Sequence, residues 1–524
     1  MIEERTEQVA TAVASTPKSY ALNRPLLILG LIAATALSAL DGTVVATALP
    51  TIVGVLGGLP LYSLVISVYF LTSTTTVPLY GKLSDMYGRK PVFMVGAGIF
   101  VVGSALCGFA WDMPSLIVFR GLQGLGAGAV LPVSLTLIGD LFDLEERARL
   151  QGVFGAVWGI SSIIGPLIGG AIVQFFDWRW VFFVNVPVGI ASSLLIFLYL
   201  REPRVHTRER VDIAGAVLLT VGVALLLVGI QAGGRAGWLS PTTWLALGGA
   251  VVLLVAFGFV ERRAPAPLLT LDLLTRPIIA IPCLVGLLAG GVLVGFAAYV
   301  PPLVQGAWGG TPTEAGLMVA PLSLGWPLAS SQTGRLIRNF GYRPLVLGGM
   351  FILVAGTLLL LLAFLPVVAS NPALRSSVVV AATFVAGAGF GFSTTSMLIA
   401  VQNSVSWSER GIATASVQFF RNMGNTLGSA ILGSVLTATL AALLAAQATQ
   451  ALLSQMPAGA RSGSDPALGP VNALFDLNLR DTLTAPLKSG LANTLSTSLA
   501  WVYVAVAIMA IIGAVLALRF PRVE

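Results

Sequence analysis

The sequence predicts an all-α polytopic membrane protein with 14 transmembrane helices. The 524-residue chain is 56% hydrophobic and only 10% charged, and its mean hydropathy is +0.91. A soluble protein of this size could not hide that much apolar surface from water. Its apolar runs recur at lengths of about 17–25 residues, which suits helices that cross a bilayer. A basic motif also occurs twice, once from Gly81 and once from Gly334, which indicates two related halves.

The apolar runs give the helices in chain order. We expect spans near 26–49, 60–80, 92–110, 114–139, 150–173, 180–200, 212–231, 242–260, 277–300, 314–333, 344–366, 375–400, 412–445 and 493–518. The first run is too long for a signal peptide and lacks a small-residue cleavage site. The polar residues 1–24 are therefore expected to remain as a cytoplasmic tail.

The basic residues orient these spans. If the amino terminus is cytoplasmic, 21 of the 29 Lys and Arg residues lie in inner segments and six lie in outer loops. This asymmetry follows the positive-inside rule and predicts that both termini are cytoplasmic. The net charge of +7 is thus a topology signal, and no nucleic-acid partner is expected.

The repeated motif divides the chain into domains. GKLSDMYGRKP (81–91) links the second and third spans, and GRLIRNFGYRP (334–344) links the tenth and eleventh. Repeated inner turns are typical of transporters built from duplicated bundles. We therefore predict two pseudo-symmetric six-helix bundles, at 25–205 and 266–524, and an inserted helix pair (spans 7 and 8) at 206–265. The C-terminal bundle includes a long outer loop at 446–492, in which VNALFDLNLRDTL could form a surface amphipathic helix.

Two lone charges stand inside apolar runs, Asp41 in the first span and Arg120 in the fourth. A charge at membrane depth is costly unless it is paired or hydrated, so both residues are candidate functional groups. Helical rise places them at similar depth, with Gln123 one turn after Arg120. A nearby guanidinium favours an ionised carboxylate, whereas burial without it favours the protonated acid. The pair could couple a rocking motion to proton uptake and release, or it could be a static pair that fixes helix packing.

Other function classes find little support in the sequence. The single histidine, His206, and the two apolar-run cysteines, Cys107 and Cys283, indicate neither a metal site nor a disulfide framework. No GxxxxGK[ST] phosphate loop occurs, which argues against an ATP-driven pump. No catalytic cluster is visible, so an enzyme is not expected, and duplicated halves favour a rocking carrier over a passive channel. We expect no cofactor other than the proton as coupling ion.

Five motifs carry a family resemblance: LDGTVVATALP (40–50), GKLSDMYGRKP (81–91), RGLQGLGAGAVLP (120–132), GISSIIGPLIGG (159–170) and WRWVFFVNVPVG (178–189). On the basis of these motifs, the chain resembles the fourteen-helix drug/proton antiporters, which form the multidrug exporter branch of the major facilitator superfamily. The resemblance implies a monomeric, proton-coupled multidrug efflux protein of the bacterial cytoplasmic membrane. It would move small lipophilic or cationic substrates by alternating access, in contact with membrane lipids and protons. A dedicated exporter of a lipid or natural product, such as an antibiotic or siderophore, is the alternative.

The resemblance also assigns roles to two motifs. The inner loop residues Gly81, Asp85, Gly88, Arg89 and Lys90 would lock the outward-facing state through Asp85 and Arg89, although an ordinary charged turn would show the same residues. The second copy of the motif has Arg338 at the position equivalent to Asp85, so a lock formed by that copy would use different contacts. The antiporter motif Gly165, Pro166, Gly169 and Gly170 favours export, or is only a packing kink. Gly424 and Gly428 repeat the spacing of Gly165 and Gly169 in span 13.

Spans 1, 2, 4 and 5 and their repeats should line a central cavity. A tentative set of polar and aromatic residues falls on these spans: Tyr62, Tyr69, Phe154, Trp158, Tyr299, Trp326, Gln418, Phe419, Arg421 and Asn425. The aromatic rings could bind flat lipophilic cations by stacking, or they could simply pack between helices or face lipid. Arg421 has no nearby acid in the sequence and could serve either the cavity or an interhelical hydrogen bond.

Overall fold

The computed structural model describes residues 23–142, 144–202, 212–264, 271–405, 410–445 and 469–522. Long helices make up most of this part of the chain. In order they are α1 (Arg24–Leu56), α2 (Tyr62–Tyr87), α3 (Arg89–Gly108), α4 (Met113–Leu141), α5 (Leu144–Phe175), α6 (Asn185–Tyr199), α7 (Ile213–Ala236), α8 (Pro241–Glu261), α9 (Pro277–Pro302), α10 (Pro312–Phe340), α11 (Tyr342–Leu361), α12 (Pro372–Asn403), α13 (Arg410–Leu444) and α14 (Ala485–Ala517). The π-helical segment Leu303–Ala307 extends α9.

Twelve of these helices, some lengthened by an adjoining short segment, are long and apolar enough to cross a membrane. The chain is therefore an all-helical polytopic membrane protein. The sequence predicts 14 crossings, and the two helices outside the set of twelve are α5 and α10. The apolar part of α5 is shorter, Gly159–Phe175, and α10 ends in the polar stretch SSQTGRLIRNF. Predicted span 412–445 is one unbroken helix, α13, and α14 begins earlier than predicted, at Ala485.

Local sequence explains where several helices begin and end. Asp112 and Thr311 form capping boxes that satisfy free N–H groups at the starts of α4 and α10. In the two copies of the basic motif, Gly88 (φ +96°) and Gly341 (φ +79°) separate consecutive helices. Their backbone lies in the left-handed region that glycine adopts readily, so each motif copy turns tightly between two helices.

The same helix pairs pack in the first six and the last six helices. Helix α1 packs against α5 and α6, and α4 packs against α2 and α3. Correspondingly, α9 packs against α13 and α14, and α12 packs against α10 and α11. Helices α7 and α8 pack on each other, and α7 lies against α2 and α13. Between the two groups, α5 meets α10 and α2 meets α13.

Hydrogen bonds between the two groups lie toward one end of the helices. We call the end that carries the two basic motifs the basic end, and the other the opposite end. Near the opposite end, Gln305 donates to Thr47 O at 3.0 Å and accepts from Thr51 Oγ1 at 3.1 Å. The hydroxyl of Tyr62 donates to Ala298 O at the same end. The two groups of helices are thus joined at the opposite end.

The described part of the long loop also lies at the opposite end. It forms two short helices, Gly469–Asn472 and Leu477–Thr482. The expectation of a surface amphipathic helix is wrong here, because Phe475 is buried between the two groups of helices. Its ring lies against Gly306, and its backbone approaches Gly54 of α1 so closely that a Cβ there would clash. Residues 446–468 of the predicted loop lie outside the described residues.

Candidate functional site

Asp41 lies at the centre of a sealed polar network between α1, α4 and α6. Its Oδ2 atom accepts a hydrogen bond from Arg120 Nη1 at 2.8 Å. Its Oδ1 atom accepts from Gln123 Nε2 at 2.8 Å and from Asn185 Nδ2 at 2.9 Å. The Asp41 side chain has 0% exposure and that of Arg120 has 2%, so the ion pair is fully withdrawn from solvent. The structure therefore brings together the three residues predicted for proton coupling and adds Asn185.

Arg120 has further partners besides Asp41. Its Nη1 atom also donates to Gln123 Oε1 at 2.7 Å. Its guanidinium carbon lies 4.0 Å from the centroid of the Tyr69 ring, a cation–π contact. The guanidinium is thus held by an amide oxygen and an aromatic face as well as by the carboxylate.

Ser104 of α3 links the amides of the network. It accepts hydrogen bonds from Gln123 Nε2 at 3.1 Å and from Asn185 Nδ2 at 3.2 Å. It donates in turn to Phe182 O at 2.9 Å. Sequence reasoning missed both Ser104 and Asn185. Asn185 stands in the quoted motif WRWVFFVNVPVG, so a signal existed for it, whereas Ser104 is one hydroxyl among many.

Glycines let α1 and α5 approach each other beside this network. A Cβ on Gly165 would lie 2.0 Å from Thr43 Oγ1, and one on Gly169 would lie 2.6 Å from Val44 O. Both contacts fall within three residues of Asp41. Gly170 instead faces α10, where a Cβ would lie 2.5 Å from Pro312 O. The antiporter motif therefore contacts the Asp41 helix on one side and the other group of helices on the second.

The second group of helices repeats this close packing. A Cβ on Gly424 would lie 1.9 Å from Leu287 O, and one on Gly428 would lie 2.4 Å from the Gly291 Cα atom. Helix α13 thus approaches α9 as α5 approaches α1. Close contact of this kind depends on small residues, because side chains would hold the backbones apart.

At the basic end, the first motif is tied to the end of α6. Glu202 accepts hydrogen bonds from the backbone N–H groups of Arg89 (2.7 Å) and Lys90 (2.8 Å) at the start of α3. A carboxylate there is favoured by the free N–H groups and the helix dipole. Lys90 Nζ donates to Leu200 O at 2.8 Å, and Arg89 Nη1 donates to Ser84 Oγ at 2.7 Å. Sequence reasoning missed Glu202.

Gly81 and Asp85 are the other two residues of the predicted lock to be placed. A Cβ on Gly81 would meet nothing within 4 Å, so this glycine is not needed for close packing in this conformation. The Asp85 side chain lies outside the described residues.

In the second copy of the motif, Arg343 Nη2 donates to Leu518 O at 2.8 Å, much as Lys90 donates to Leu200 O in the first copy. The second motif thus keeps a tie to the end of the last helix.

Several predicted cavity residues are not accessible in this conformation. Tyr62 and Tyr299 are buried against each other, with ring centroids 5.8 Å apart. Tyr69 is buried on Arg120, and Phe154 is buried in the core of the first six helices. Helix–helix packing covers these four rings in this conformation, and their place in a substrate cavity stays a prediction. The Trp158 side chain lies outside the described residues.

The other predicted cavity residues belong to α10 and α13. Phe419 packs against a cluster that includes residues of α7. Gln418 is partly exposed, and Asn425 is buried. Arg421 and Trp326 are both partly exposed, and the guanidinium carbon lies 5.7 Å from the centroid of the indole ring. Of the predicted set, this pair is the clearest candidate for a binding surface.

The helical architecture and the buried charged network define a polytopic membrane transporter. The chain belongs to the Major Facilitator Superfamily, whose family profile matches residues 31–429. It is therefore a member of a transporter family and not an enzyme. The resemblance inferred from the motifs is confirmed.

Individual relatives agree with this assignment. The chain is 38% identical over 490 residues to the multidrug transporter protein MdtP of Bacillus subtilis, covering 91% of this chain and 88% of that protein. It is 33% identical over 492 residues to multidrug resistance protein 3 of the same species, covering 93% of each. Among solved structures, an inward-facing, occupied bacterial homologue of the human lysosomal transporter Spinster matches with a TM-score of 0.65. That match has 16% identity and covers 96% of this chain and 97% of the other, which shows a shared fold.

Proposed function

We propose that this protein is a proton-driven exporter of lipophilic or amphipathic compounds that works by alternating access. The observation that carries the proposal is the sealed network in which Arg120, Gln123 and Asn185 hold the Asp41 carboxylate. A buried ion pair adds little net stability compared with apolar packing. A costly acid retained in a membrane helix is therefore better explained by a role in ion movement.

The network suggests how a proton could be coupled to movement. With all three donors in place, both oxygens of the carboxylate accept hydrogen bonds. If α1 moves relative to α4 and α6, these donors withdraw, and the buried acid then gains from binding a proton. Arg120 would remain held by Gln123 and Tyr69 while Asp41 is neutral. Restoring the network would release the proton.

The contacts between the two groups of helices support the alternating-access part of the proposal. They lie at the opposite end, which we assign to the outer face, and include the pairs Gln305–Thr47 and Tyr62–Ala298. Breaking them would open the outer side. We propose that the Gly81–Lys90 motif and Glu202 stabilise the basic end in the alternative state. Close glycine contacts of α5 with α1 and α10 would transmit motion between the halves.

The full topology is part of the same proposal. We assign α5 and α10 as membrane spans too, since each is long and they pack on each other among the other spans. This gives 14 crossings, with bundles α1–α6 and α9–α14 and an inserted pair α7–α8. The matched helix pairs in the two groups support this division. The basic end would face the cytoplasm with both termini, in a bacterial cytoplasmic membrane.

The names of the relatives guide the substrate class. MdtP and multidrug resistance protein 3 are named as multidrug proteins, which suggests drug-like compounds for this chain. A proton that enters through a potential of 100 mV supplies about 2.3 kcal/mol. At about 1.4 kcal/mol per tenfold concentration ratio, that sustains a gradient of roughly fiftyfold for a neutral compound.

The test uses inside-out membrane vesicles with an imposed acidic lumen. Accumulation of ethidium and of the neutral dye Nile red is compared for the wild type, Asp41→Asn and Asp272→Asn. Asp272 is exposed and provides a matched control for removal of one acid. We expect gradient-driven accumulation of at least one of the two dyes in the wild type and the control, and of neither dye in Asp41→Asn.

Two results would go against the proposal. Normal accumulation by Asp41→Asn would make Asp41 a structural residue. If no variant moves either dye although all are inserted and folded, a broad multidrug range is wrong, and a dedicated lipid or natural-product exporter becomes the better explanation.

A further inference from the structure

Arg421 is a membrane-depth cation without a carboxylate partner among the described residues. Its guanidinium carbon lies 5.7 Å from the centroid of the Trp326 ring, and both side chains are partly exposed. Arg120, by contrast, is neutralised by Asp41 and sealed from solvent. An uncompensated guanidinium at this depth is costly, so a counter-charge that arrives from outside the chain would be bound favourably.

We propose that Arg421 and Trp326 form a binding subsite for the acidic group of an aromatic organic anion. The inference rests on the proposed export function and narrows its substrate class. It differs from the expectation of lipophilic cations that the aromatic residues alone suggested. A carboxylate, sulfonate or phosphate group would dock on Arg421, and the attached ring system would lie against the indole.

The backbone of Arg421 packs closely against α9. A Cβ on Gly290 of α9 would lie 2.2 Å from Arg421 O, and one on Gly286 would lie 3.8 Å from the Arg421 Cβ. Helix α13 is therefore clamped to α9 at this level. The guanidinium reaches from that interface to Trp326 on α10, so it points between the helices rather than toward lipid.

The aromatic partner is also fixed in place. The Trp326 ring meets the buried Phe390 ring edge-on, with centroids 4.8 Å apart. One side of the indole is thus supported and the rest remains partly exposed. A planar guanidinium forms paired hydrogen bonds with acidic groups, and an indole face binds flat rings by stacking.

A neighbouring polar atom also lacks a partner. Asn425, one turn after Arg421, is 8% exposed, and its Oδ1 atom is buried without a hydrogen-bond partner among the described residues. A Cβ on Gly290 of α9 would lie 3.2 Å from this oxygen, so it faces α9 rather than the space beside Trp326. The subsite therefore combines a cation and an aromatic face, and Asn425 is not counted in it.

The Asp41 carboxylate is not available to cationic compounds. Both Asp41 oxygens are occupied by Arg120, Gln123 and Asn185, and the carboxylate has no exposure. The charge that Arg421 presents beside Trp326 is positive. At this subsite a lipophilic cation would meet repulsion, whereas an anion of the same shape would be attracted.

The test is equilibrium binding to the purified full-length protein in a neutral detergent, so it does not depend on proton coupling. Fluorescein and rhodamine 123 share a xanthene ring system but carry opposite charges, and fluorescence anisotropy reports the binding of each. We expect fluorescein to bind the wild type more tightly than rhodamine 123. Arg421→Gln should weaken fluorescein binding by about ten- to a hundredfold, the loss expected for hydrogen bonds to a charged group, and should not weaken rhodamine 123.

Further variants separate charge from structure. Arg421→Lys should retain much of the affinity for fluorescein because it keeps the charge, and Trp326→Leu should weaken both dyes by about three- to tenfold. Arg375→Gln is the matched control, since Arg375 also stacks on an indole, that of Trp308 at 4.6 Å, but near the start of α12. It should leave fluorescein binding unchanged.

Three outcomes would overturn the subsite. The first is equal fluorescein affinity of the wild type and Arg421→Gln, or no binding by either. The second is an equal loss of affinity for both dyes in Arg421→Gln. The third is a loss of fluorescein affinity in Arg375→Gln equal to that in Arg421→Gln. If Arg421→Gln does not fold, Arg421→Lys and Trp326→Leu still decide. Competition by short-chain phosphatidylglycerol would show that the bound acid is a lipid headgroup, and its failure to compete would favour a free organic acid. Loss of dye transport in vesicles with intact fluorescein binding would instead reject the export function alone.

Discussion

Replacing Asp41 by Asn should destabilise the protein because it leaves the Arg120 charge buried. Removal of one partner from a buried ion pair costs about 3–5 kcal/mol. Two contacts of Arg120 survive the change, the 2.7 Å hydrogen bond to Gln123 and the Tyr69 ring at 4.0 Å. Both contacts are present in the wild type as well, so they do not offset the loss. The expected loss in the free energy of unfolding is about 3–5 kcal/mol.

A second variant tests this arithmetic. Asp41→Asn combined with Arg120→Gln replaces the ion pair by two neutral amides of similar size. Neutral replacement of a whole buried pair is often tolerated, so the double variant should lie within about 1 kcal/mol of the wild type. Both variants should nevertheless lack transport driven by a pH gradient. Denaturant unfolding followed by tryptophan fluorescence in detergent measures the stability, and the vesicle assay measures the transport.

The reasoning would be refuted by either of two results. If Asp41→Asn is as stable as the wild type, Arg120 is not left uncompensated and the network is not sealed. If the double variant is no more stable than the single one, the loss does not arise from an unpaired charge. Gradient-driven export by the double variant would show that protons are coupled elsewhere.

Three other predictions concern residues around this site. Asn185→Ala removes a donor to a buried carboxylate and should lower the free energy of unfolding by about 1.5–3 kcal/mol. The same change at the exposed Asn403 should cost less than about 1 kcal/mol. Equal losses of stability in the two variants would contradict a special role for Asn185. Gly169→Ala would place a Cβ 2.6 Å from Val44 O and should lower the free energy of unfolding by about 1–3 kcal/mol. The control Gly98→Ala would meet nothing within 4 Å and should be neutral or slightly stabilising. Thermal unfolding measures both variants. Glu202→Gln weakens the cap of α3, so it should lower the free energy of unfolding by about 1 kcal/mol and increase protease cleavage at the basic end. Equal protease resistance of the wild type and the variant would contradict a stabilising contact between Glu202 and the first motif.

Some of the site follows from the sequence because charge burial is expensive wherever it occurs. Asp41 and Arg120 each stand alone in an apolar run, so their pairing at similar depth could be predicted from cost and helical rise. The structure places their polar atoms 2.8 Å apart. Asn185 and Ser104 carry no charge, and nothing in a one-dimensional pattern shows that their helices meet Asp41.

The aromatic residues illustrate the opposite case. Tyr62, Tyr69 and Tyr299 fall on helices expected to line a cavity, yet all three are buried in this conformation. A ring on such a helix can face the cavity, a neighbouring helix or the partner bundle. Which face it presents depends on helix rotation and on which end of the bundles is closed, and periodicity in the sequence decides neither.

The sequence by itself determined the class of this protein, because hydropathy, helix length and the repeated glycine-rich turns are properties of short segments. Those segments behave alike wherever they lie, so membrane spans and the family could be recognised without coordinates. Tertiary structure alone decided that Glu202 caps α3, that Phe475 is buried between the two groups of helices and that Arg421 faces Trp326. Each of these contacts joins residues far apart in the chain, and its energy exists only once the helices have packed.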